Sequence, residues 1–348
     1  MGNLSNTHEL EAPHSQTRPL PSDGHAIRRI LACLDLSPSS PSCLRHAVAI
    51  SKSLGSEITL LHVMQAPPER AAGHATDVLD WEIARQEASA YLERLESETA
   101  EASGRPVEIR LEQGHAAERI TAVAREIDAD LTVLGSHGER GVSAWNLGST
   151  ALQVLALAPG SVLIARSSTA PDSASPKHIL VPLDGSVRTE SVLPTAVRIA
   201  RANDAELLLV FVVREPVPTA VLRSAEDLDV ARDLATRLVT SGTRYLAGLR
   251  DQLGREGVSA RTLVLRSADE RQSLLELSRD EGSDLIVLSA HGSTCNPALT
   301  FGSVTAHLLT HSIVPLLVLQ DLHDPTRGDR ENERRAPPLR ASFPPEAE

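Results

Sequence analysis

Aromatic side chains are scarce in this chain: Phe, Trp and Tyr make up only 2% of its 348 residues. Proteins that bind single-stranded nucleic acids stack bases on aromatic rings, and proteins that bind duplexes neutralise phosphates with Lys and Arg. Here 34 basic residues face 46 acidic ones, and the formal net charge is −12. Such a surface repels a phosphate backbone. We therefore predict that nucleic acid is not a partner.

Cysteines and long apolar runs are also few. Cys33, Cys43 and Cys295 are scattered and show neither metal-ligand spacing nor a disulfide framework. No apolar run approaches the length of about 18 residues that a membrane-spanning helix needs, and residues 1–26 lack the apolar core of a signal peptide. We expect no membrane segment, no export and a cytoplasmic location. The proline-rich, charged ends, 1–26 and 322–348, are predicted to be disordered tails.

The most informative stretch runs from Asp130 to Arg166. An apolar run, Leu131 to Leu134, stops at Gly135-Ser-His-Gly138, and Gly148-Ser149-Thr150 then opens a segment with helical spacing. Glycines allow a backbone to approach a ligand closely, and the free N–H groups at a helix start attract anions. The spacing G-x2-G-x9-G-[ST] therefore predicts a phosphate-binding loop between a strand and a helix.

The same pattern recurs 154 positions later, because Gly302 corresponds to Gly148 (302 − 148 = 154). The second copy runs from Asp284 to Gln320 and differs at Ser289, which stands where the first copy has Gly135. A long internal repeat indicates two similar folding units. We predict a tail (1–26), a first domain (27–167), a linker (168–175), a second domain (176–321) and a second tail (322–348).

Each copy alternates apolar strands with helical segments. The predicted strands are Arg28–Asp35, Ile58–Met64, Val107–Leu111, Leu131–Leu134 and Val162–Ala165, then Ile179–Asp184, Glu206–Val213, Ser259–Leu265, Leu285–Leu288 and Pro315–Leu319. The order βαβαβαβαβ requires parallel pairing through helical crossovers. The predicted fold class is α/β: two tandem Rossmann-like domains, each a five-stranded parallel sheet with helices on both faces.

The doubled glycine loop and the Asp-terminated first strands resemble the universal stress protein family, whose ATP-binding members carry this loop. The resemblance covers about residues 27–167 and 176–321. It implies an adenine nucleotide alpha hydrolase-like fold and ATP as the ligand, with or without Mg²⁺. It places Asp35 near the ribose, Val63 beside the adenine, and Gly138, Gly148, Ser149 and Thr150 on the phosphates. The candidate site residues are Asp35, Val63, Gly135, His137, Gly138, Gly148, Ser149 and Thr150 in the first copy, and Asp184, His291, Gly292, Gly302, Ser303 and Val304 in the second.

Several of these residues have a simpler interpretation. Asp35 could be a helix N-cap or turn acid, and a histidine in each loop could hold the loop by a hydrogen bond to backbone rather than act as a general base. Arg140 could reach a terminal phosphate or lie on the surface. Trp145 could cover the nucleotide or plug a domain surface, and Cys295 could be an exposed thiol. No acid–base set accompanies these residues, so we predict no catalytic residue and at most slow ATP hydrolysis.

The function that the sequence favours is a stress-response protein that binds ATP and acts through nucleotide-dependent contacts with an unidentified protein partner. The alternatives are a nucleotide-independent scaffold of the same fold and a slow ATPase. The first copy is the predicted principal site, because the second has Ser289 in a glycine position and no basic residue between Gly292 and Gly302. Against this ranking, Asp184-Gly185-Ser186 lies closer to the family pattern than Asp35-Leu36-Ser37. We also predict an intramolecular pseudo-dimer through the last strand of each copy, with homodimerisation left open.

Overall fold

The computed structural model describes residues 27–36, 40–65, 78–136, 147–166, 175–216, 225–293 and 299–320. Its first half alternates strands and helices as predicted. The elements are β1 (Arg29–Leu34), α1 (Ser40–Leu54), β2 (Glu57–Met64), α2 (Val78–Ser103), β3 (Val107–Gln113), α3 (Ala116–Glu126), β4 (Leu131–Gly135), α4 (Ser149–Leu157) and β5 (Ser161–Ala165).

The second half repeats this order with one interruption. The elements are β6 (His178–Leu183), α5 (Val187–Glu190), α6 (Leu193–Asn203), β7 (Glu206–Arg214), α7 (Ala225–Arg255), β8 (Ala260–Ser267), α8 (Glu270–Asp280), β9 (Leu285–Ser289), α9 (Ser303–His311) and β10 (Leu316–Leu319). The helix that matches α1 is divided in two, because Pro194 lies in the first turn of α6 and has no backbone N–H to continue an earlier helix.

The ten strands found in the described ranges form one sheet with the order β3-β2-β1-β4-β5-β10-β9-β6-β7-β8. Within each half every neighbouring pair is parallel. Between the halves, β5 and β10 pair antiparallel, with Leu317 opposite Leu163. This is the pairing that the apolar last strand of each copy predicts, and it gives both halves a shared sheet rather than two separate edges.

Helices cover both faces of the sheet. On one face α1, α2, α6 and α7 pack against residues such as Ala32 and Val181, and on the other α3, α4, α8 and α9 pack against Leu31 and Leu180. Successive strand residues therefore face opposite helical layers, which is why the central strands are continuous apolar runs. No helix within the described ranges is long and apolar enough to cross a membrane.

Helices of the two halves also contact each other above the β5–β10 seam. The guanidinium of Arg198 on α6 donates to the Leu54 carbonyl at 2.9 Å, and the Asn203 amide donates to the Ser53 hydroxyl at 2.8 Å. On the other face, the buried side chain of Arg166 donates to the Leu309 carbonyl in the last turn of α9. A cation at a helix C-terminus is favourable, so Arg166 joins the end of β5 to the second half.

Candidate functional site

Each half has a topological switch point. Strand β1 lies between β2 and β4, and β6 lies between β7 and β9. The chain leaves β1 toward β2 and leaves the neighbouring β4 toward β5, in opposite directions along the sheet. Strands β6 and β9 repeat this pattern in the second half. Ligands of open α/β sheets bind in the crevice at the carboxyl ends of such strands. Asp35 follows β1 and Asp184 follows β6, while the glycine loops follow β4 and β9. The fold therefore brings an acid and a glycine loop to the same crevice in each half.

In the second half, the Asp184 carboxylate spans this crevice. One oxygen accepts from the Ser186 N–H at 2.9 Å and the Thr189 hydroxyl at 2.8 Å, both within its own turn. The other accepts from the Ser293 N–H at 2.6 Å, across the crevice. Burial of the carboxyl raises its pKa, but the hydrogen bonds from Ser186, Ser293 and Thr189 outweigh burial and hold the pKa below the ordinary value. A negative charge is thus fixed beside the loop.

Gly292 is required by this close contact. A Cβ built on Gly292 would lie 2.6 Å from the Asp184 carboxylate oxygen, so any side chain here would displace the acid. Its backbone does not have the positive φ that favours glycine. The glycine is therefore explained by the approach of Asp184 across the crevice.

Gly302 has a different explanation. It is the N-cap of α9 with φ −65° and ψ 162°, a conformation open to any residue, and its N–H donates to the Ala290 carbonyl at 2.9 Å. A Cβ built on Gly302 would meet its nearest heavy atom, the Cα of His291, at 3.5 Å, which is an ordinary contact. Neither backbone geometry nor packing within the described chain requires glycine here. With respect to the residues that the structure describes, this glycine leaves space in front of the α9 N-terminus, where no N-cap side chain accepts from the first-turn N–H groups.

The loop after β9 is held by His291 and Ser289. The His291 Nε2 lies 2.9 Å from the Leu299 carbonyl, so this histidine binds loop backbone, as the simpler interpretation predicts. Ser289 is buried, its hydroxyl donates to the His291 carbonyl, and its own carbonyl accepts from the Thr305 hydroxyl at 2.9 Å. Neither Ser289 nor Gly135 has positive φ. The change from Gly to Ser therefore costs no backbone strain.

The remaining second-copy candidates lie at the start of α9. Ser303 is exposed and Val304 is half-buried, so the first turn of this helix is accessible to solvent.

The first half repeats the arrangement in its described part. Ser40, at the start of α1, donates to the Asp35 carboxylate at 2.7 Å, in the position that Thr189 has beside Asp184. Gly148 is the N-cap of α4, with φ −61° and ψ 153°, and its N–H donates to the Ser136 carbonyl at 2.9 Å. Asp35 is thus bound to the first residue of α1, which fits the interpretation of Asp35 as a structural acid at the carboxyl end of β1.

The other first-copy candidates occupy nearby positions. Gly135 ends β4 opposite Ala165, and Ser149 and Thr150 form the first turn of α4. Val63 is half-buried near the carboxyl end of β2, beside the end of β1. His137, Gly138, Arg140, Trp145 and Cys295 lie outside the described residues.

Two tyrosines at this crevice were not singled out from the sequence. Tyr91 and Tyr245 are the only tyrosines in the chain, and they are separated by the repeat offset of 154 (245 − 91). Burial raises the pKa of Tyr91, against a lowering contribution from the Ser40 hydroxyl, and Asp35 adds to the increase. Burial is the main cause that raises the pKa of Tyr245. The negative charge of Glu190 raises this pKa further, and so does the charge of Asp184. Because the two tyrosines are separated by the repeat offset, the sequence already indicates that they are equivalent residues of the two halves.

The aromatic rings of Tyr245 and Phe211 contact each other beside the turn that contains Asp184 and Gly185. Their rings meet edge to face with centroids 6.2 Å apart, and Phe211 lies 3.8 Å from a Cβ built on Gly185. In the first half His62 takes the place of Phe211, and its Nδ1 lies 2.8 Å from the Leu34 carbonyl. The two crevices therefore differ in the residue at the end of the second strand.

The architecture and the crevice first define a class: doubly wound α/β proteins with a glycine loop at the switch point. The profile described as the Universal stress protein family matches residues 26–166 and 176–320. The chain therefore belongs to the universal stress protein family, with two copies of the family's unit in tandem.

Individual relatives agree with this assignment. The universal stress protein YxiE of Bacillus subtilis is 26% identical over 148 residues, which is 41% of this chain and 97% of that protein. A universal stress protein of Methanocaldococcus jannaschii is 26% identical over 144 residues, 41% of this chain and 82% of that protein. The crystal structure of a universal stress protein from Archaeoglobus fulgidus has a TM-score of 0.57 at 20% identity and covers 84% of this chain and 98% of its own. That likeness extends the shared fold across both halves.

Proposed function

We propose that this protein binds ATP in the crevice of each half and responds to stress through contacts that depend on the bound nucleotide. The observation that carries the proposal is Gly302. Its glycine is not required by φ or by packing among the described residues, yet it keeps space clear in front of an uncapped helix N-terminus. A phosphate group fits such a space, because first-turn N–H groups and the helix dipole favour an anion.

The other residues of the crevice suit the rest of a nucleotide. Asp35 and Asp184 would accept hydrogen bonds from ribose hydroxyls, and the half-buried Val63 would offer an apolar surface to the adenine. Gly148, Ser149 and Thr150 in α4, and Gly302, Ser303 and Val304 in α9, would provide the phosphate contacts. Mg²⁺ would accompany the phosphates as part of the ligand.

Binding rather than turnover is the proposed activity. Asp184 is engaged by backbone and hydroxyl donors, and His291 is engaged by a loop carbonyl, so both side chains have structural contacts that hold the crevice together. The output is then a change in protein contacts in the cytoplasm. A scaffold that ignores nucleotide, or a slow ATPase, is the competing function, and phosphate release under saturating ATP separates the latter from binding alone.

Isothermal titration of ATP into wild-type protein, Gly148→Val and Gly302→Val tests the proposal. A branched side chain at either N-cap would enter the proposed phosphate space, so we expect each variant to lose binding in its own half by at least tenfold. Gly254→Val is the control, since a Cβ at Gly254 would have no heavy atom within 4 Å and the residue lies far along α7. Absence of ATP or ADP binding to the wild type at millimolar concentration would refute the proposal.

The same titration ranks the two sites. If Gly148→Val removes the tighter binding event, the first copy is the principal site, as the sequence predicts. If Gly302→Val removes it, the order is reversed.

A further inference from the structure

Helix α7 carries an apolar ridge on its solvent side, formed by Val230, Leu234 and Leu238. These residues are spaced by four and so follow one another along one face of the helix. Their exposed fractions are 70%, 55% and 43%. The helix is anchored through a different face, which includes the buried Ala235 and Leu246. Scattered exposed aliphatic residues are normal, but a contiguous row of three on one helix marks a candidate contact surface.

The α7 ridge is not part of the fold that the two halves share. The matched tyrosines, Tyr91 on α2 and Tyr245 on α7, align these helices with the repeat offset of 154 (245 − 91). At that offset, Asp80 and Ala84 stand where α7 has Leu234 and Leu238. The exposed aliphatic residues of α2, Leu79 and Ile83, stand instead where α7 has Asp233 and Arg237. The row at positions 230, 234 and 238 therefore lies on a side of the helix that has no aliphatic counterpart at Asp80 and Ala84.

Charged residues border the α7 ridge in an ordered way. Glu226, Asp233, Arg237 and Arg244 are all exposed. At 100° per residue, these four lie within about 40° of one another on the same side of the ridge. The two acids occupy the N-terminal part of the helix and the two arginines the part that follows Leu234. In the chain as described, none of the four forms an ion pair, so their charges are available to a partner.

We propose that two copies of this chain associate through α7, with the helices antiparallel and Leu234 beside the partner's Leu234. Twofold symmetry about this point sets Val230 against the partner's Leu238. It also brings Glu226 near the partner's Arg244 and Asp233 near the partner's Arg237. Glu226 and Arg244 lie at similar distances on either side of Leu234, so the acidic part of one helix meets the basic part of the other.

A parallel pairing offers no such match. Its twofold axis runs along the helices and places the charged row of one copy on the side opposite the row of its partner, so the acids and arginines of the two rows do not meet. Opposite charges that approach each other across an interface favour the antiparallel arrangement. The charge order of α7 thus identifies the occupant of the ridge as a second, antiparallel copy.

The contact between the two α7 helices is small, so the association of the two copies should be weak. The ridge spans about 12 Å of helix, at 1.5 Å of rise per residue. Such a contact falls below the ~1,200 Å² that stable interfaces bury. The association should therefore be reversible and depend on protein concentration. The proposed association does not involve nucleotide. A finding that the chain does not associate would therefore leave the proposed nucleotide-binding function intact.

Sedimentation velocity of the full chain over a range of concentrations, without nucleotide, tests the proposal. We expect a monomer–dimer equilibrium, and we expect Leu234→Glu to weaken it by at least tenfold because it buries a charge at the centre of the contact. Leu152→Glu is the matched control: this residue of α4 is 51% exposed and lies outside the ridge, so association should not change. A wild type that stays monomeric, or a Leu234→Glu protein that dimerises as tightly as wild type, would overturn the proposal.

A charge exchange tests the antiparallel register. Glu226→Arg and Arg244→Glu should each weaken association several-fold, and the double variant should restore it. Within one chain these residues are about 27 Å apart along the helix, so only contact between two chains can produce the rescue. A double variant no better than either single variant would contradict the antiparallel pairing. Unchanged melting of each variant by circular dichroism shows that the monomer fold is kept.

Discussion

The carboxylate of Asp184 joins the turn after β6 to the loop after β9, and its protonation state matters for both. Its hydrogen bonds from Ser186, Ser293 and Thr189 hold the pKa below the ordinary value of an aspartate. A carboxyl group whose pKa is lowered on folding stabilises the protein above its unfolded pKa, near ~3.9, and loses that contribution as pH falls through the folded pKa. The crevice of the second half should therefore be weakened by acid.

We predict that Asp184→Asn lowers the free energy of unfolding by about 1 kcal/mol at pH 7, because an amide cannot replace every charge-assisted hydrogen bond. The difference from wild type should begin to shrink below about pH 4, the pKa of an unfolded aspartate, and continue to shrink as pH falls through the lower pKa of folded Asp184. Urea denaturation at pH 7 and at pH 3 provides both values. Asp280→Asn, at the exposed end of α8, is the control. An Asp184→Asn deficit that stays constant between the two pH values would contradict this account.

The candidate residues show what a sequence can predict about a site. The spacing of the glycines placed Gly292 and Gly302 at the crevice, yet only the structure separates their roles. Gly292 is needed because Asp184 approaches it, whereas Gly302 leaves space at a helix start. Ser289 was a reason for doubt because backbone φ is not readable from one sequence, and its extended backbone removes that reason.

Packing between elements distinguishes two of the glycines in α7, Gly242 and Gly254. A Cβ on Gly242 would lie 2.9 Å from the ring of Phe211 on β7, whereas a Cβ on Gly254 would have no heavy atom within 4 Å. The Phe211 ring is itself placed against Tyr245 and has little freedom to retreat. Gly242 therefore lets α7 approach β7, while Gly254 has no packing role.

We predict opposite signs for alanine at these two positions. Gly242→Ala should lower the free energy of unfolding by about 1–3 kcal/mol, because an overpacked contact forces the helix or the ring to move. Gly254→Ala should raise it by about 0.4–1 kcal/mol, since alanine reduces the freedom of the unfolded chain and fits the helix. Thermal and urea denaturation measure both changes. Equal effects of the two variants would show that α7 is not held close to β7 at Gly242.

The elements themselves were predictable because each central strand is buried on both faces and reads as a continuous apolar run. Strand bounds from the sequence agree with the structure to within about two residues, the usual ambiguity of element ends. The break between α5 and α6 depends on Pro194, whose effect was not anticipated. In α7 two apolar rows have helical spacing, and the sequence alone does not say whether Ala235 or Leu234 faces the sheet. Ala235 is buried and Leu234 is exposed, so the row that contains Ala235 faces the sheet.

At the scale of the whole molecule, the β5–β10 pairing makes the two copies interdependent. Leu316, Leu317 and Val318 pair with Ile164, Leu163 and Val162, and all six are buried. Separation would expose an apolar strand edge on each half, which is a surface that seeks another strand. Arg198 and Asn203 add contacts between α6 and the end of α1 that a single half cannot make. Neither half is therefore expected to persist as a monomer.

We predict that residues 27–167 and 176–321, produced as separate chains, associate with themselves when alone and with each other when mixed. The mixture should sediment like one intact chain, because the native seam restores both the strand pairing and the α1–α6 contacts. The second half should carry Leu234→Glu, so that α7 does not contribute to the association. Two stable, soluble monomers that remain separate on mixing would show that the seam is dispensable and that the continuous sheet is not what holds the copies together.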